Sequence, residues 1–352
     1  MKKTNKLFIK LQNNTEVEAQ APTIISASRS TDIPAFYLDW FFHRMEIGYS
    51  AWINPFNGVK SYISYQNVKF IVFWSKNPKP LLDKLSFLKR KNITYYIQYT
   101  LNDYVIENLE QGVPSLEERI ETFKKLSNEL GKKSVIWRFD PLILTDKISI
   151  SCLLSKIENI GNQLYGYTDR FIFSFADILE YKKVKANLDR NKIHYINWNT
   201  ETMLEMAKGI SELNKKWKFK LFTCAENINL DLYNIQHAHC IDDELIAQLA
   251  YTNHELIDYL GLTIKQKTLT LLNMPSNDEI ILNDNLIAIR NKNKKDKGQR
   301  NACGCISSKD IGEYNTCPHL CEYCYANTSK EIALRNYATH KLNPFSETIT
   351  GK

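Results

Sequence analysis

FIVFWSKNPKPLLDKLSFLKRKNITYYIQYT, residues 70–100, decides the fold. Its first six residues, Phe70–Ser75, are almost wholly apolar, too short for a helix and suited to a strand covered on both faces. Pro80 then fits a first helical turn, the apolar spacing through Lys91 is helical, and Tyr95–Thr100 returns to strand. Two strands joined through a helix pair in parallel. The same alternation extends both ways: strands are predicted at Thr23–Ser28, Ser134–Phe139, Arg170–Ser174 and Lys218–Cys224. Helices are predicted at Pro34–Ile47, Ser115–Leu130, Ser149–Leu164 and Asn199–Trp217, with a capping-box pattern at Ser115-x-x-Glu118. Gly48–Phe56 and Ile281–Ile289 offer two more strands. Seven or eight such units in about 250 residues is barrel-sized. No glycine-rich turn follows the first strand, as a doubly wound sheet would carry. The expected fold is therefore α/β, a TIM-like (β/α) barrel or partial barrel, with a C-terminal cysteine-rich loop region. Its expected divisions are an N-terminal extension over 1–22, a barrel-like domain over 23–250, a linker or insertion over 251–302 and a cysteine-rich segment over 303–352.

The 352 residues are 43% hydrophobic, 24% charged and 12% aromatic, which excludes disordered, collagen-like and low-complexity chains. No run of 18 apolar residues occurs, and Leu7-Phe8-Ile9 is too short for a secretory core. A cytoplasmic protein without a membrane partner is expected. Its eight cysteines then stay thiols, and clustered ones read as metal ligands before disulfides. The net charge is +7, but five of those charges come from Arg290, Lys292, Lys294, Lys295, Lys297 and Arg300 set against Asp296. Such a run can meet nucleic-acid phosphates, or it can be a solvated linker.

Polar residues gather where the predicted strands end: Arg29 and Asp32, Lys76, Asn102, Arg138 and Asp140, Asp177, and Glu226. In a parallel barrel those ends converge on one mouth, where active sites are built. Arg29, Asp32, Lys76, Arg138, Asp140 and Glu226 are the catalytic candidates. Helix capping and structural ion pairs are the plainer use of the same residues.

Five of the eight cysteines fall within 22 residues: Cys303 and Cys305, then Cys317, Cys321 and Cys324. The spacing C-x3-C-x2-C wraps three thiolates around one small object, and soft thiolates select iron–sulfur clusters or zinc. Three ligands on a four-iron cluster leave one iron open, the mark of a reactive rather than a closed site. Zinc is the alternative, with Cys303 or Cys305 as fourth ligand. Cys152 reads as a buried small residue, whereas Cys224 falls at a strand end near the rim. His319, inside the loop, suits either a hydrogen bond to a cluster sulfur or an exposed position.

The string Cys317-x3-Cys321-x-Tyr323-Cys324-Tyr325-Ala326-Asn327 resembles the cluster loop of the radical S-adenosylmethionine superfamily, especially its spore photoproduct lyase branch. The resemblance implies a [4Fe–4S] cluster on Cys317, Cys321 and Cys324, with Tyr323 near the adenine of S-adenosylmethionine and Asn327 beside the cofactor. It also implies reductive cleavage to a 5′-deoxyadenosyl radical and an electron donor such as ferredoxin or flavodoxin. The loop follows the strands instead of the first of them, and no Gly-Gly-Glu is present, so Arg29, Arg138, Asp140 and Glu226 are candidates to anchor that cofactor. A wider resemblance rests on Ser26–Pro34, Phe73–Pro78, Trp137–Pro141, Thr223–Glu226, Cys303–Cys305 and Cys317–Asn327. Together they are similar to the bacterial domain-of-unknown-function family numbered eighteen-forty-eight, implying a barrel-like α/β fold with a C-terminal cysteine loop.

The expected function is an iron–sulfur-dependent redox enzyme acting on a small polar substrate. Two rivals stand beside it: a zinc-dependent hydrolase with metal at His237 and His239, flanked by Asp231 and Asp242, and a nucleic-acid-binding module using the 290–300 run. No Walker loop, G-x-G-x-x-G turn or G-x-S-x-G elbow occurs.

Overall fold

Strand-forming runs of Ile, Val, Phe and Trp assemble a parallel sheet of eight strands, numbered here in chain order: β1 (Ile24–Ala27), β2 (Phe70–Ser75), β3 (Thr94–Thr100), β4 (Val135–Leu142), β5 (Arg170–Phe175), β6 (Lys220–Thr223), β7 (Ile235–His237) and β8 (Lys309–Asp310). The computed structural model describes residues 6–54, 57–267, 278–292, 294–296, 298 and 303–351. Lys297 and Arg300 of the basic run lie outside the described residues. The spatial order is β7-β6-β5-β4-β3-β2-β1-β8, so the strands are laid down in succession without the reversal of a doubly wound sheet.

The strands from β1 to β5 are covered on both faces, and the two-residue side-chain period sorts their residues between two cores. Ile25, Ile71, Phe73, Ile97, Tyr99, Trp137 and Phe171 pack on one face against helices that include Leu38–Ile47, Leu116–Leu130, Ile150–Leu164 and Thr200–Trp217. Their alternates Ile24, Phe70, Val72, Tyr96, Ile136 and Ile172 pack on the second face. There they meet helices Asp243–Ala250 and His254–Leu260 and a three-stranded antiparallel sheet, Leu262–Gln266, Glu279–Ile281 and Leu286–Arg290. Described residues of the stretch 251–302, expected as a linker or insertion, thus supply part of the second core: Leu256, Ile257, Leu260, Leu262, Ile280, Leu282 and Ala288. The predicted strand Ile281–Ile289 is the turn of this small sheet with its two flanking strands.

The expected barrel or partial barrel is found as an α/β fold on an eight-stranded parallel sheet, with no closure of the sheet among the described residues. Among the described residues β7 and β8 are edge strands paired on one side only. The physical reason is local: β8 has two paired residues, and the chain after β7 packs across the second face before β8 forms. A backbone bond from Ile306 N–H to Ile241 O, 3.1 Å, links the segments flanking those edges. The residues before Thr23 carry strands Lys6–Lys10 and Glu16–Gln20, which join Tyr49–Ile53 and Lys60–Ser64 in a separate four-stranded sheet. The predicted helix Pro34–Ile47 is two helices, Ile33–Phe36 and Leu38–Ile47, and Pro80 sits in a 3-10 turn leading into Leu85–Arg90. Ser115 caps Leu116–Leu130 by accepting from Glu118 N–H, while the Glu118 carboxylate pairs with Lys79 instead of closing the box. No described helix is long and apolar enough to cross a membrane.

Candidate functional site

All eight strands run the same way, so their C-terminal ends lie along one rim. On the second face each strand passes from apolar to polar towards that rim, as in Phe70-Val72-Trp74-Lys76, Tyr96-Gln98, Ile136-Arg138-Asp140 and Ile172-Ser174. The cysteine loop 317–327 is fastened to these ends by side chains the sequence had marked. Asp32, after β1, accepts from Ala35 N–H, Ser75 Oγ, Lys76 N–H and His319 Nε2, the last at 2.7 Å. It is a buried tie with its acceptor positions in use. His319 is buried, its other ring nitrogen 3.0 Å from Gly112 O, so it serves the loop's anchoring and is not solvent-exposed.

Lys76, after β2, donates to Glu110 Oε1 at 2.7 Å and to the Tyr323 hydroxyl at 2.9 Å. Asn102, after β3, donates to the same two groups and to Asp140 O, and accepts from Asp140 N–H. The Tyr323 hydroxyl closes the knot by donating to Glu110. Burial alone pushes the Glu110 carboxyl up, but Lys76 and Arg119 hold it at about 2. Tyr323, placed beside an adenine by the resemblance, is here buried with its hydroxyl fully engaged. The chain around Glu110 also touches the loop directly: Glu110 bridges Cys321, Glu322 N–H donates to Leu109 O, and Gly112 N–H donates to His319 O. A side chain at Gly112 would come 2.4 Å from Pro318 O, so this approach requires glycine.

Within the loop, Asn327 N–H points at Cys324 Sγ (3.4 Å) and Asn327 Nδ2 donates to Cys317 O, while the buried Asn327 Oδ1 has no partner. Burial pushes the thiols of Cys317, Cys321 and Cys324 upward. Among the described residues, the grouping of three ligand atoms all within 4.8 Å is His239, Asp242 and Asp243. Neither the three loop sulfurs nor any three of Cys224, Cys240, Cys303 and Cys305 lie all within 4.8 Å of one another.

Further along the rim, Arg138 Nε donates to Asp140 and Nη1 to Gln98 and Cys240 Sγ, the last at 3.3 Å. Asp140 also accepts from Ser174, and its carboxyl, though burial raises it, is lowered by Arg138. The guanidinium carbons of Arg29 and Arg138 lie 5.5 and 5.3 Å from the Trp74 ring centroid. The buried Trp74 Nε1 has no hydrogen-bond partner. Glu226 accepts from Phe175 N–H at 2.9 Å and so holds the end of β5, and Asp177 is half-buried just beyond it.

Cys303 and Cys305 gather with Cys224 and Cys240, in a group reached through contacts other than those of the loop. Hydrogen bonding to Cys305 brings the Cys303 thiol down to about 7 against burial. Of the rival constellation, His239 meets Asp242 and Asp243, which already pair with Arg170 and Arg290; His237 is not part of the grouping. Sequence reasoning missed Glu110, which lies in a loop without strand or motif, Trp74 as a rim residue, and Cys240, which follows a strand of only three residues.

The family described as "Domain of unknown function (DUF1848)" matches residues 24–326, from the first residue of β1 to the end of the cysteine loop. The chain belongs to this family. Both cysteine groups and every rim residue named above except Asn327 fall inside the family's domain. No curated protein matches the chain. Among solved structures, a putative alpha-L-fucosidase from Bacteroides thetaiotaomicron VPI-5482 is similar at 12% identity and a TM-score of 0.21, covering 55% of this chain and 83% of that one.

Proposed function

We propose that this member of the family is an iron–sulfur-dependent redox enzyme of the radical S-adenosylmethionine-like kind. The carrying observation is the seat of the loop: Asp32–His319, Lys76–Tyr323 and Asn102–Tyr323 hold it over three consecutive strand ends. Cys317, Cys321 and Cys324 would hold a [4Fe–4S] cluster, which supplies a one-electron reductant and an open iron for S-adenosylmethionine. Three thiols on one loop at the C-x3-C-x2-C spacing and a backbone N–H aimed at Cys324 Sγ support such a group over zinc.

The chain's own residues divide the remaining work. Lys76, Asn102 and Glu110 hold the loop rigid through a buried ionic knot. Arg138 and Asp140 form an ion pair, with Asp140 the more exposed partner at 27% of its side chain. Arg29, Trp74 and Arg138 offer two cations, a ring face and a free indole N–H, a surface for the carboxylate and ring of S-adenosylmethionine or for a small polar substrate. A ferredoxin or flavodoxin would deliver the electron.

Anaerobically purified protein is expected to be brown, with about four irons and four sulfides per chain. Incubation with dithionite and S-adenosylmethionine is expected to release 5′-deoxyadenosine. Iron-free protein overturns the cluster reading; a cluster without that product overturns the radical chemistry and leaves electron transfer.

A further inference from the structure

We propose that Cys224, Cys240, Cys303 and Cys305 form a second metal centre, a four-thiolate site for a single tetrahedral ion of the zinc class. Three separate stretches of chain supply the sulfurs: Cys224 follows β6, Cys240 follows β7, and Cys303 and Cys305 stand on the approach to β8. Cys224 Sγ and Cys240 Sγ are 3.1 Å apart, and Cys305 Sγ lies beside them, accepting from the N–H of Ile241, the residue after Cys240, with Cys303 two residues before it. Zinc–sulfur bonds of about 2.3 Å in a tetrahedron set every sulfur edge near ~3.8 Å. One of the six edges, Cys224–Cys240, is thus a contact already; no three of the four sulfurs lie within 4.8 Å of one another, so binding would draw Cys303 and Cys305 in towards that pair. All four are free thiols, and 3.1 Å is well beyond the sulfur–sulfur bond of about 2.05 Å in a disulfide. A cubane would hold its thiolates on separate irons, farther apart than this contact.

The surroundings suit an anionic thiolate centre. Ile241 N–H donates to Cys305 Sγ and Arg138 Nη1 to Cys240 Sγ, both at 3.3 Å, and the Arg29 charge lies beside Cys305 and Cys240. Four thiolates around a dication leave two negative charges, which two guanidinium groups offset. Gly304 lets His239 lie against the turn between two of the ligands, where a side chain would be 2.1 Å from the imidazole. A closed four-sulfur site is structural. This one would staple the edges the sheet leaves unpaired, since Cys240 follows edge strand β7 and Cys303 and Cys305 precede edge strand β8.

Metal counting on the full chain tests this independently of the loop's cluster. The wild type is expected to carry about one zinc per chain, and Cys240→Ser/Cys305→Ser to lose at least about tenfold of it while keeping its iron. Cys321→Ser is expected to keep its zinc. Because the double variant could misfold, cobalt(II) is exchanged into the wild type, where tetrahedral ligand-field bands with intense thiolate charge transfer are expected. Zinc retained by the double variant, no thiolate–cobalt bands in the wild type, a Cys224–Cys240 disulfide in mass mapping, or iron lost with Cys240 and Cys305 would each overturn the proposal.

Discussion

The two cysteine groups are built on opposite plans. Cys317, Cys321 and Cys324 are neighbours in sequence, yet their sulfurs stand apart, and the loop packs with the helix-side core through Cys321 and Tyr323. Cys224, Cys240, Cys303 and Cys305 are scattered over 82 residues, yet the fold brings the sulfurs of Cys224 and Cys240 to 3.1 Å, and Cys240, Cys303 and Cys305 belong to the core on the other face of the sheet. Sequence spacing therefore reports how a chain wraps one object, whereas contact between distant thiols reports what the fold itself brings together. The two groups also differ in support: the first hangs on polar ties to strand ends, the second on backbone and arginine donors to sulfur.

The sharpest way to separate them is Cys321→Ser, expected to take iron content and 5′-deoxyadenosine formation to background without touching zinc. Lys76→Met attacks the loop's support instead. It leaves the buried Glu110 carboxylate without its main cation, and breaking such a pair costs about 3–5 kcal/mol, read in the urea midpoint of the metal-free chain. A matched pair of glycines compares the groups at equal chemistry. Gly112→Ala forces a methyl against the backbone of Pro318 and His319 and is expected to cost about 1–3 kcal/mol and lower iron loading. Gly304→Ala meets only the His239 ring, which is 42% exposed and can swing aside, so under about 1 kcal/mol is expected. Equal losses in the two variants would contradict this reading of what holds each group.

The smallest effect is in pH dependence. Glu110 is held at about 2, against an ordinary 4.5, so its stabilisation is whole above about 4.5 and is lost as pH falls towards 2. Glu110→Gln is expected to flatten that acid limb in a series of denaturation midpoints on the metal-free chain. An unchanged limb would place the acid sensitivity elsewhere, for instance at Asp243, also held at about 2.

The six longer strands were legible because each is a short segment rich in Ile, Val, Phe, Tyr, Trp or Leu with polar residues at or just after its end, from Thr23–Ser28 through Lys218–Cys224. The rim followed from them: Asp32, Lys76, Asn102, Arg138 and Asp140 all lie at the strand ends the sequence assigned. Barrel closure was not legible, since Ile235–His237 and Lys309–Asp310 are too short to carry a two-residue period. The second core was hidden for a related reason: Leu256, Ile257 and Leu260 fit helical spacing, but nothing local shows that they pack on the sheet. Glu110 and Cys240 acquire their roles through partners 213 and 102 residues away, Tyr323 and Arg138. No window of sequence contains such pairs.

The cysteine loop follows all eight strands β1–β8 in the chain, and a polypeptide emerges from the ribosome N-terminus first. Its docking posts at Asp32, Lys76 and Asn102 are therefore synthesised well before the thiols they receive. Under the proposed cluster reading, cofactor delivery would be a late event of biogenesis, made onto a scaffold already translated, and a nascent chain stalled before residue 317 would lack all three loop thiols.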